Sequence, residues 1–484
     1  MRRYLVFALC LSLSGCYYCC CDDDDDHDDN YYGPPPYGGW PSDFNVDGFA
    51  DILVGAPLDD AGVPGSDRGR VFLYAGWHTP EGVADGVYDG TEDGGQFGAS
   101  VASVGDFNGD GWWDFVVGAP FESGGGTRRG RVHVYYGGPV FPSIASVVLN
   151  GAEDDGRFGW AVAGAGDVNG DGRDELLVGA PLENSGGTRR GRAYLFSFTN
   201  GSTPLLTFSG SENDSRFGWA LDTAGDYNWD GYSDVAIGVP LDDADGNTTD
   251  NGQDRGRVFL YLGSPTPDNG VDFVLPGAEI GGEFGSAVAG LGDFNYDGFD
   301  DLAVGAPLDD GDGNALDDGT DRGRAFVFYG GYLFSDVPDH TVTGTAGSRF
   351  GAMVARIGDI NNGGAPDLLV GAPYEGGGGT ERGRAYVFYG GSLPDLLPSV
   401  VLSGIEDGGH FGSSGFSGGD VNAGGARDLV IGAPDDDGDG NTTEDGPDRG
   451  RALLFFGGPT MDALPDLVLE GGAQFGARAG AAVR

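Results

Sequence analysis

Phe158-Gly159, followed nine residues later by Asp167-Val168-Asn169-Gly170-Asp171-Gly172 and then by Gly179-Ala180-Pro181, decides how this chain is read. The same triplet of signals returns along the sequence at a period of about 60 residues, the signature of a repeat architecture. FG pairs begin at Phe97, Phe158, Phe217, Phe284, Phe350, Phe411 and Phe475, and acidic loops open at Asp43, Asp106, Asp167, Asp226, Asp293, Asp359 and Asp420. Each of the first six FG pairs precedes its loop by nine residues, and Arg484 stands nine residues after Phe475. The two series are offset by half a unit, which predicts a closed ring in which the C-terminal strand completes the blade that the N-terminal segment starts. Closure of that kind leaves no sheet edge free to pair with another chain.

Within residues 158–214 the apolar runs Phe158 to Ala165, Leu176 to Gly179, Gly191 to Phe196 and Leu205 to Phe208 are short, alternate in polarity and are punctuated by Gly, Pro and Asp. That pattern gives four antiparallel strands per repeat and no helix. The expected fold is all-β, a seven-bladed β-propeller of four-stranded antiparallel blades spanning residues 43–484. Loops between strands one and two then lie on one face of the disc, and those between strands two and three on the other.

Composition agrees. Glycine at 96 of 484 residues is too frequent for helices and suits many tight turns, while 12% aromatic residues supply a core. A formal net charge of -50 argues against nucleic acid as a partner, since a phosphate-binding surface has to be positive. Cations are the natural partner.

Residues 1–15 read as a signal peptide. Arg2 and Arg3 precede the apolar stretch Tyr4 to Leu13, and Leu13-Ser14-Gly15-Cys16 resembles a bacterial lipobox, with Cys16 as the lipidated residue. By resemblance to lipoproteins, Tyr17 in the following position favours the outer membrane. No later stretch is apolar enough to span a bilayer, so the membrane is expected to be reached through the lipid anchor only. All five cysteines, Cys10, Cys16, Cys19, Cys20 and Cys21, lie in or just after this segment, and no disulfide is available to the repeats. For Cys19 to Cys21, metal binding, further acylation, pairing between molecules and no function at all stay open. Residues 16–42, with the acidic run Asp22 to Asp29 and Pro34-Pro35-Pro36, read as a solvated tether.

The acidic loops carry the sharpest chemistry. Five follow DxNxDGxx[D/E]: Asp43, Asn45, Asp47, Asp51; Asp106, Asn108, Asp110, Asp114; Asp167, Asn169, Asp171, Glu175; Asp226, Asn228, Asp230, Asp234; and Asp293, Asn295, Asp297, Asp301. Oxygens at positions 1, 3, 5 and 9, with the carbonyl of position 7, converge if the glycine at position 6 turns the chain. Hard oxygens in a flexible cage select Ca²⁺. The competing reading is a set of Asx-turns that bind nothing. Five copies in phase with the repeat favour the metal, because crowded carboxylates repel one another without a cation. Two loops are weaker candidates: Asp359, Asn361, Asp367 and Asp420, Asn422, Asp428 have Gly363 and Gly424 at position 5. In the third loop Asp174 is an alternative to Glu175 as closing ligand.

With Gly-Ala-Pro at Gly55, Gly118, Gly179, Gly305, Gly371 and Gly432, and the variant Gly238-Val239-Pro240, these signals resemble the FG-GAP repeat family, the seven-bladed propeller of integrin alpha subunits and its bacterial relatives. The resemblance covers residues 43–484. It implies a calcium-stabilised, non-catalytic ring that binds other molecules, with the metals on the face away from the usual ligand side. The chain has no inserted metal-dependent adhesion domain and no membrane-spanning helix, so integrin-style ligand binding and signalling do not carry over.

Arg-Gly-Arg recurs at Arg68, Arg129, Arg190, Arg255, Arg322, Arg382 and Arg449, in a chain without lysine. These arginines read either as a ring of ligand-binding cations or, as favoured here, as planar clamps between acidic loops. Insertions in blades four, five and seven add Asp243, Asp245, Asn247, Asp250; Asp310, Asp312, Asn314, Asp317; and Asp437, Asp439, Asn441, Glu444. Further Ca²⁺ sites and merely solvated loops are both open for them.

Little points to catalysis. His27, His78, His133, His340 and His410 share no repeat position, and Gly415-Phe416-Ser417-Gly418-Gly419 matches GxSxG on an expected strand rather than at the strand-to-helix turn a nucleophile elbow needs. The expected function is a calcium-binding cell-surface lipoprotein, not an enzyme, acting as a binding or adhesion module for an extracellular or envelope protein or glycan. An envelope scaffold is the alternative, and a propeller-based hydrolase or lyase a more distant one.

Overall fold

A computed structural model gives the fold, and its description covers residues 42–76, 82–244, 251–311, 320–392, 394, 397–436, 450–459, 461–469 and 482–483. Residues 1–41, which hold the signal segment, nearly all of the tether, all five cysteines and His27, lie outside the described residues, as do His78 and the last FG pair at Phe475.

Seven four-stranded antiparallel sheets follow one another along the chain. Blade three is representative: its strands are Val162–Gly166, Glu175–Ala180, Arg192–Phe196 and Leu206–Ser209, each paired with the next in sequence. These bounds match the apolar runs of the sequence to within a few residues, except that Phe158 and Gly159 precede the first strand. The second strand of a blade is buried along its whole length, as its unbroken apolar run requires. Among the described residues there is no α-helix, only a 3₁₀ turn at Phe198–Asn200.

Blade one closes the ring as expected. Its second to fourth strands are Ile52–Ala56, Arg70–Tyr74 and Gly86–Asp89, and Ala482–Val483 adds the missing first strand, with Val54 opposite Val483 and Gly55 opposite Ala482. Side chains complete the seam. Ala50, Ile52, Val54 and Phe72 of blade one pack with Phe416, Val421, Val430 and Leu454 of blade seven in a single apolar cluster. The core divides into seven such clusters, one between each pair of adjacent blades. Every blade therefore depends on both neighbours for burial.

The recurring signatures mark where blades touch. Phe158 and its equivalents are buried at the blade interface, and the FG glycine donates to the GAP glycine of its own blade, as Gly159 to the carbonyl of Gly179 at 3.0 Å. The glycine between the two arginines abuts the next blade's FG backbone: a Cβ on Gly191 would sit 2.2 Å from the carbonyl oxygen of Phe217. Only glycine fits there, and its φ of 79° adds a second reason.

Because consecutive strands alternate in direction, the DxNxDG loops share a face with the loops joining strands three and four. The two sets interlock between neighbours: Gly138 donates to Phe44, Gly331 to Tyr227 and Gly391 to Phe294, at 2.9, 2.9 and 2.8 Å. The first strands line a central cavity of about 540 Å³, at one mouth of which Trp160 and Trp219 lie with ring centroids 4.7 Å apart.

Candidate metal centre

Six of the acidic loops are launched from a β-bulge at the end of the first strand. The glycine before the first aspartate, such as Gly105 or Gly292, adopts a φ near 70° and turns the chain out of the sheet. In the first loop Ser42 takes that place with a φ of 78°.

The aspartate at position 1 then organises the turn. Asp43 accepts the amides of Asp47 and Gly48 at 3.2 and 3.0 Å, and Asn45 accepts that of Asp47 at 3.0 Å. Asp47 in turn accepts the amide of Phe49 at 3.0 Å and the Asn45 side-chain amide at 2.9 Å. Asp106, Asp167, Asp226 and Asp293 repeat the first two bonds with lengths of 2.8 to 3.0 Å. The side chains at positions 1, 3 and 5 thus turn inward on one tight turn, each accepting backbone amides of the loop.

Position 9 is a buckle. Asp51 is fully buried and accepts the amide of Phe44 at 2.9 Å on one oxygen and that of Gly76, beyond the third strand, at 3.1 Å on the other. Asp234, Asp301, Asp367 and Asp428 make the same pair of bonds, whereas Asp114 accepts the amide of Asn108, one residue further along its loop, together with that of Gly137. Glu175 reaches the amide of Val168 at 2.9 Å. Burial raises the affinity of these groups for a proton: Asp51, Asp114, Glu175 and Asp301 are pushed up to about 8, and Asp234, Asp367 and Asp428 to about 7. Backbone amides oppose the shift, and the neighbouring loop carboxylates add to it.

Asp174, the alternative closing ligand, faces elsewhere. Its Oδ2 accepts the amide of Asp106 in the preceding blade at 3.0 Å, as Asp300 does for Asp226 at 2.8 Å. The residue at position 8 joins loops around the ring, so Glu175 alone closes the third loop.

The two weaker loops are informative about the others. Asp359 accepts the amides of Gly363 and Gly364 at 2.8 and 2.7 Å, and Asp420 those of Gly424 and Gly425 at 2.8 and 2.9 Å. The turn closes without a carboxylate at position 5. Asp47, Asp110, Asp171, Asp230 and Asp297 each accept the amide of position 7, at 3.0 to 3.1 Å, and add one negative charge to a turn that the bonds to position 1 already close. Among the described residues no three Asp, Glu, His or Cys side chains form a preformed cage. The loop oxygens hold backbone amides, yet a carboxylate has about four lone-pair positions, so hard-oxygen donors for a cation remain.

The opposite face carries a second set of acids that the sequence reading passed over. Arg192, the second arginine of its pair, reaches Glu153 at 2.7 Å and Glu183 at 3.0 Å, and Tyr194 donates its hydroxyl to Glu183. Arg131 likewise joins Glu92 and Glu122, where His133 takes the tyrosine's place 3.1 Å from Glu122. Arg70, Arg257, Arg324, Arg384 and Arg451 hold Asp59, Asp242, Asp309, Glu375 and Asp436. The arginines are clamps between loops, on the face away from DxNxDG. A signal was present: every GAP or GVP is followed two residues later by Asp or Glu.

Of the insertion residues, Asp243 and Asp310 tie off the base of their loops, Asp243 by accepting the amides of Gln253 and Asp254 at 2.7 and 3.1 Å. Asp245, Asn247, Asp250, Asp312, Asn314, Asp317, Asp437, Asp439, Asn441 and Glu444 lie outside the described residues. Ser417 lies within the strand Ser414–Gly419 and lines the central cavity, with no helix following it.

The fold is a seven-bladed β-propeller, and five of its blades carry recognisable FG-GAP repeats. The FG-GAP repeat family matches residues 41–74, 97–135, 158–196, 284–328 and 355–388, which are blades one, two, three, five and six. Integrin alpha-5 of Xenopus laevis is 35% identical over 226 residues, 45% of this chain and 20% of that protein. Integrin alpha-IIb of Mus musculus is 37% identical over 229 residues, 44% of this chain and 20% of its own length. Phosphatidylinositol-glycan-specific phospholipase D of Bos taurus is 34% identical over 254 residues, 49% and 28%. The chain spans between a fifth and under a third of the length of these relatives.

Proposed function

We propose that the protein is a calcium-binding module that presents its ring, anchored through Cys16 at the bacterial cell surface, to a protein or glycan ligand. The observation that carries the calcium reading is the additional carboxylate at position 5, kept in five loops although two other loops close the same turn with glycine there. A cation offsets the repulsion among Asp43, Asp47 and Asp51 and their counterparts. Positions 1, 3, 5 and 9 would hold it in the five intact loops, and positions 1, 3 and 9 more weakly around Asp359 and Asp420. The similarity to integrin alpha chains supports a ligand-binding rather than a catalytic role. Likeness to a phospholipase D leaves a hydrolase as the second reading, tested by turnover of a phospholipid.

Calorimetric titration of the Cys16→Ser protein with Ca²⁺ tests the proposal. One ion per intact loop is expected, and Asp110→Ala should remove one. Absence of heat at every loop would leave bare Asx-turns and end the calcium reading.

A further inference from the structure

Large apolar side chains that the fold leaves exposed are concentrated on one face. Of seventeen among the described residues, ten lie in loops joining the third strand to the fourth, with at least one in every blade, and Trp229 and Tyr296 lie in DxNxDG loops. Both loop sets share the face of the acidic turns. Ile144 is 78% exposed, Leu333 92% and Leu464 72%, far round the ring from one another. Blades four and five add a continuous aromatic string, with Trp229 6.1 Å from Phe299 and Phe299 4.9 Å from Tyr332.

Trp229 is held there against its own backbone preference. It adopts a φ of 59° at the fourth loop position, which is glycine in blades two and three and where Val46 and Tyr296 likewise take φ of 54° and 63°, a conformation bulky residues avoid elsewhere. Yet it stays 62% exposed. Folding explains neither the residue nor its exposure.

The pattern fits a flat, laterally fluid surface. A protein partner would meet one patch, whereas an annulus of separated apolar tips in all seven blades matches a sheet-like target. Ser42, the first described residue, lies at this face, immediately before the first DxNxDG loop. We propose that the DxNxDG face docks on a phospholipid bilayer, its apolar loop tips entering the interfacial zone while cations in the acidic turns bridge carboxylate to lipid phosphate. The ring itself then touches the membrane, beyond any lipid anchor. The inference rests on the calcium reading for the bridging ions, and not on lipidation.

The test uses the full chain with Cys16→Ser, Cys19→Ser, Cys20→Ser and Cys21→Ser, which removes every cysteine open to acylation, and vesicles of phosphatidylethanolamine and phosphatidylglycerol. Co-sedimentation is expected with Ca²⁺ and is lost in chelator. Combined Ile144→Asp, Leu333→Asp and Leu464→Asp should lower the bound fraction about tenfold, whereas Val63→Asp with Ile405→Asp, on the other face, should leave it unchanged. Brominated acyl chains should quench fluorescence that Trp229→Phe removes. Failure to bind vesicles under conditions where calorimetry detects calcium would overturn docking and leave the calcium reading intact. Equal damage from the opposite-face pair would also overturn it, as would a lipid-free dimer that the apolar variants dissolve, which would assign the face to a second copy of this chain.

Discussion

Val54 of the second strand in blade one pairs with Val483, 429 positions later in the chain, and this backbone pairing is the seam of the ring. Deleting residues 480–484 leaves the edge of Ile52–Ala56 open toward the central cavity and withdraws pairing from a strand whose residues are all buried. The shortened protein is expected to melt earlier than the full chain and to self-associate through that edge. Light scattering and thermal melting check both; a monomer of unchanged melting temperature would mean that the apolar cluster around Phe72 and Val430 holds the seam alone.

Stability without calcium should fall as pH rises. Asp51, Asp114 and Asp301 titrate at about 8 in the fold, from 3.8 ordinarily, so the folded state binds more protons than the unfolded one between about 4 and 8. Their contribution is present in full below the lower limit and is lost through the upper one. In chelator the melting temperature at pH 8 is expected below that at pH 5, with Asp51→Asn flattening the slope. Calcium, which favours the ionised carboxylates, should narrow the gap. A melting temperature that climbs from pH 5 to pH 8 in chelator is the opposite sign and would contradict the burial argument.

Breaking one arginine clamp should cost more than an exposed ion pair. Glu183 is fully buried, and Arg192→Ala leaves its carboxylate with only the Tyr194 hydroxyl, a loss of about 3 kcal/mol or more in urea unfolding. Arg192→Lys should recover only part: both carboxylates meet one nitrogen, Nη1, which an ammonium can stand in for, but the lysine chain is shorter and its charge more strongly hydrated. Glu183→Gln together with Arg192→Met should come closer to the parent than Arg192→Ala alone. Equal stability for Arg192→Ala and the parent would remove the clamp from the account of the fold.

The ring and its loops were legible because they depend on local order. Phe158, Asp167 and Gly179 lie within one blade, so spacing alone places them, and the offset between Asp43 and Phe475 foretold the seam. Contacts between blades were not legible in the same way. Arg131 meets Glu92 across 39 residues, and Asp174 meets Asp106 across 68, distances over which a carboxylate's partner is chosen by ring geometry rather than by its neighbours in sequence. Asp174 and Glu175 are adjacent, yet the alternation of a strand sends one to the preceding blade and the other into its own loop. Trp229 was hidden for another reason: its exposure depends on a positive φ that only coordinates reveal.

Two glycines with nearly the same backbone separate conformational strain from crowding. Gly172 in the third acidic loop has a φ of 85° and would meet nothing within 4 Å if it carried a Cβ. Gly191 has a φ of 79°, and its Cβ would lie 2.2 Å from the Phe217 carbonyl and 2.5 Å from its amide nitrogen, both backbone atoms of the next blade. Gly172→Ala should therefore cost about 1 kcal/mol, the penalty for leaving the preferred region. Gly191→Ala must in addition push two blades apart, which disturbs Phe217 and the cluster it fills with Leu177 and Ile237. Its expected loss is severalfold larger, with a lower unfolding cooperativity as blades three and four part. Chemical denaturation of the two variants side by side checks this, and equal losses would show that the blades can slide to accommodate a methyl group.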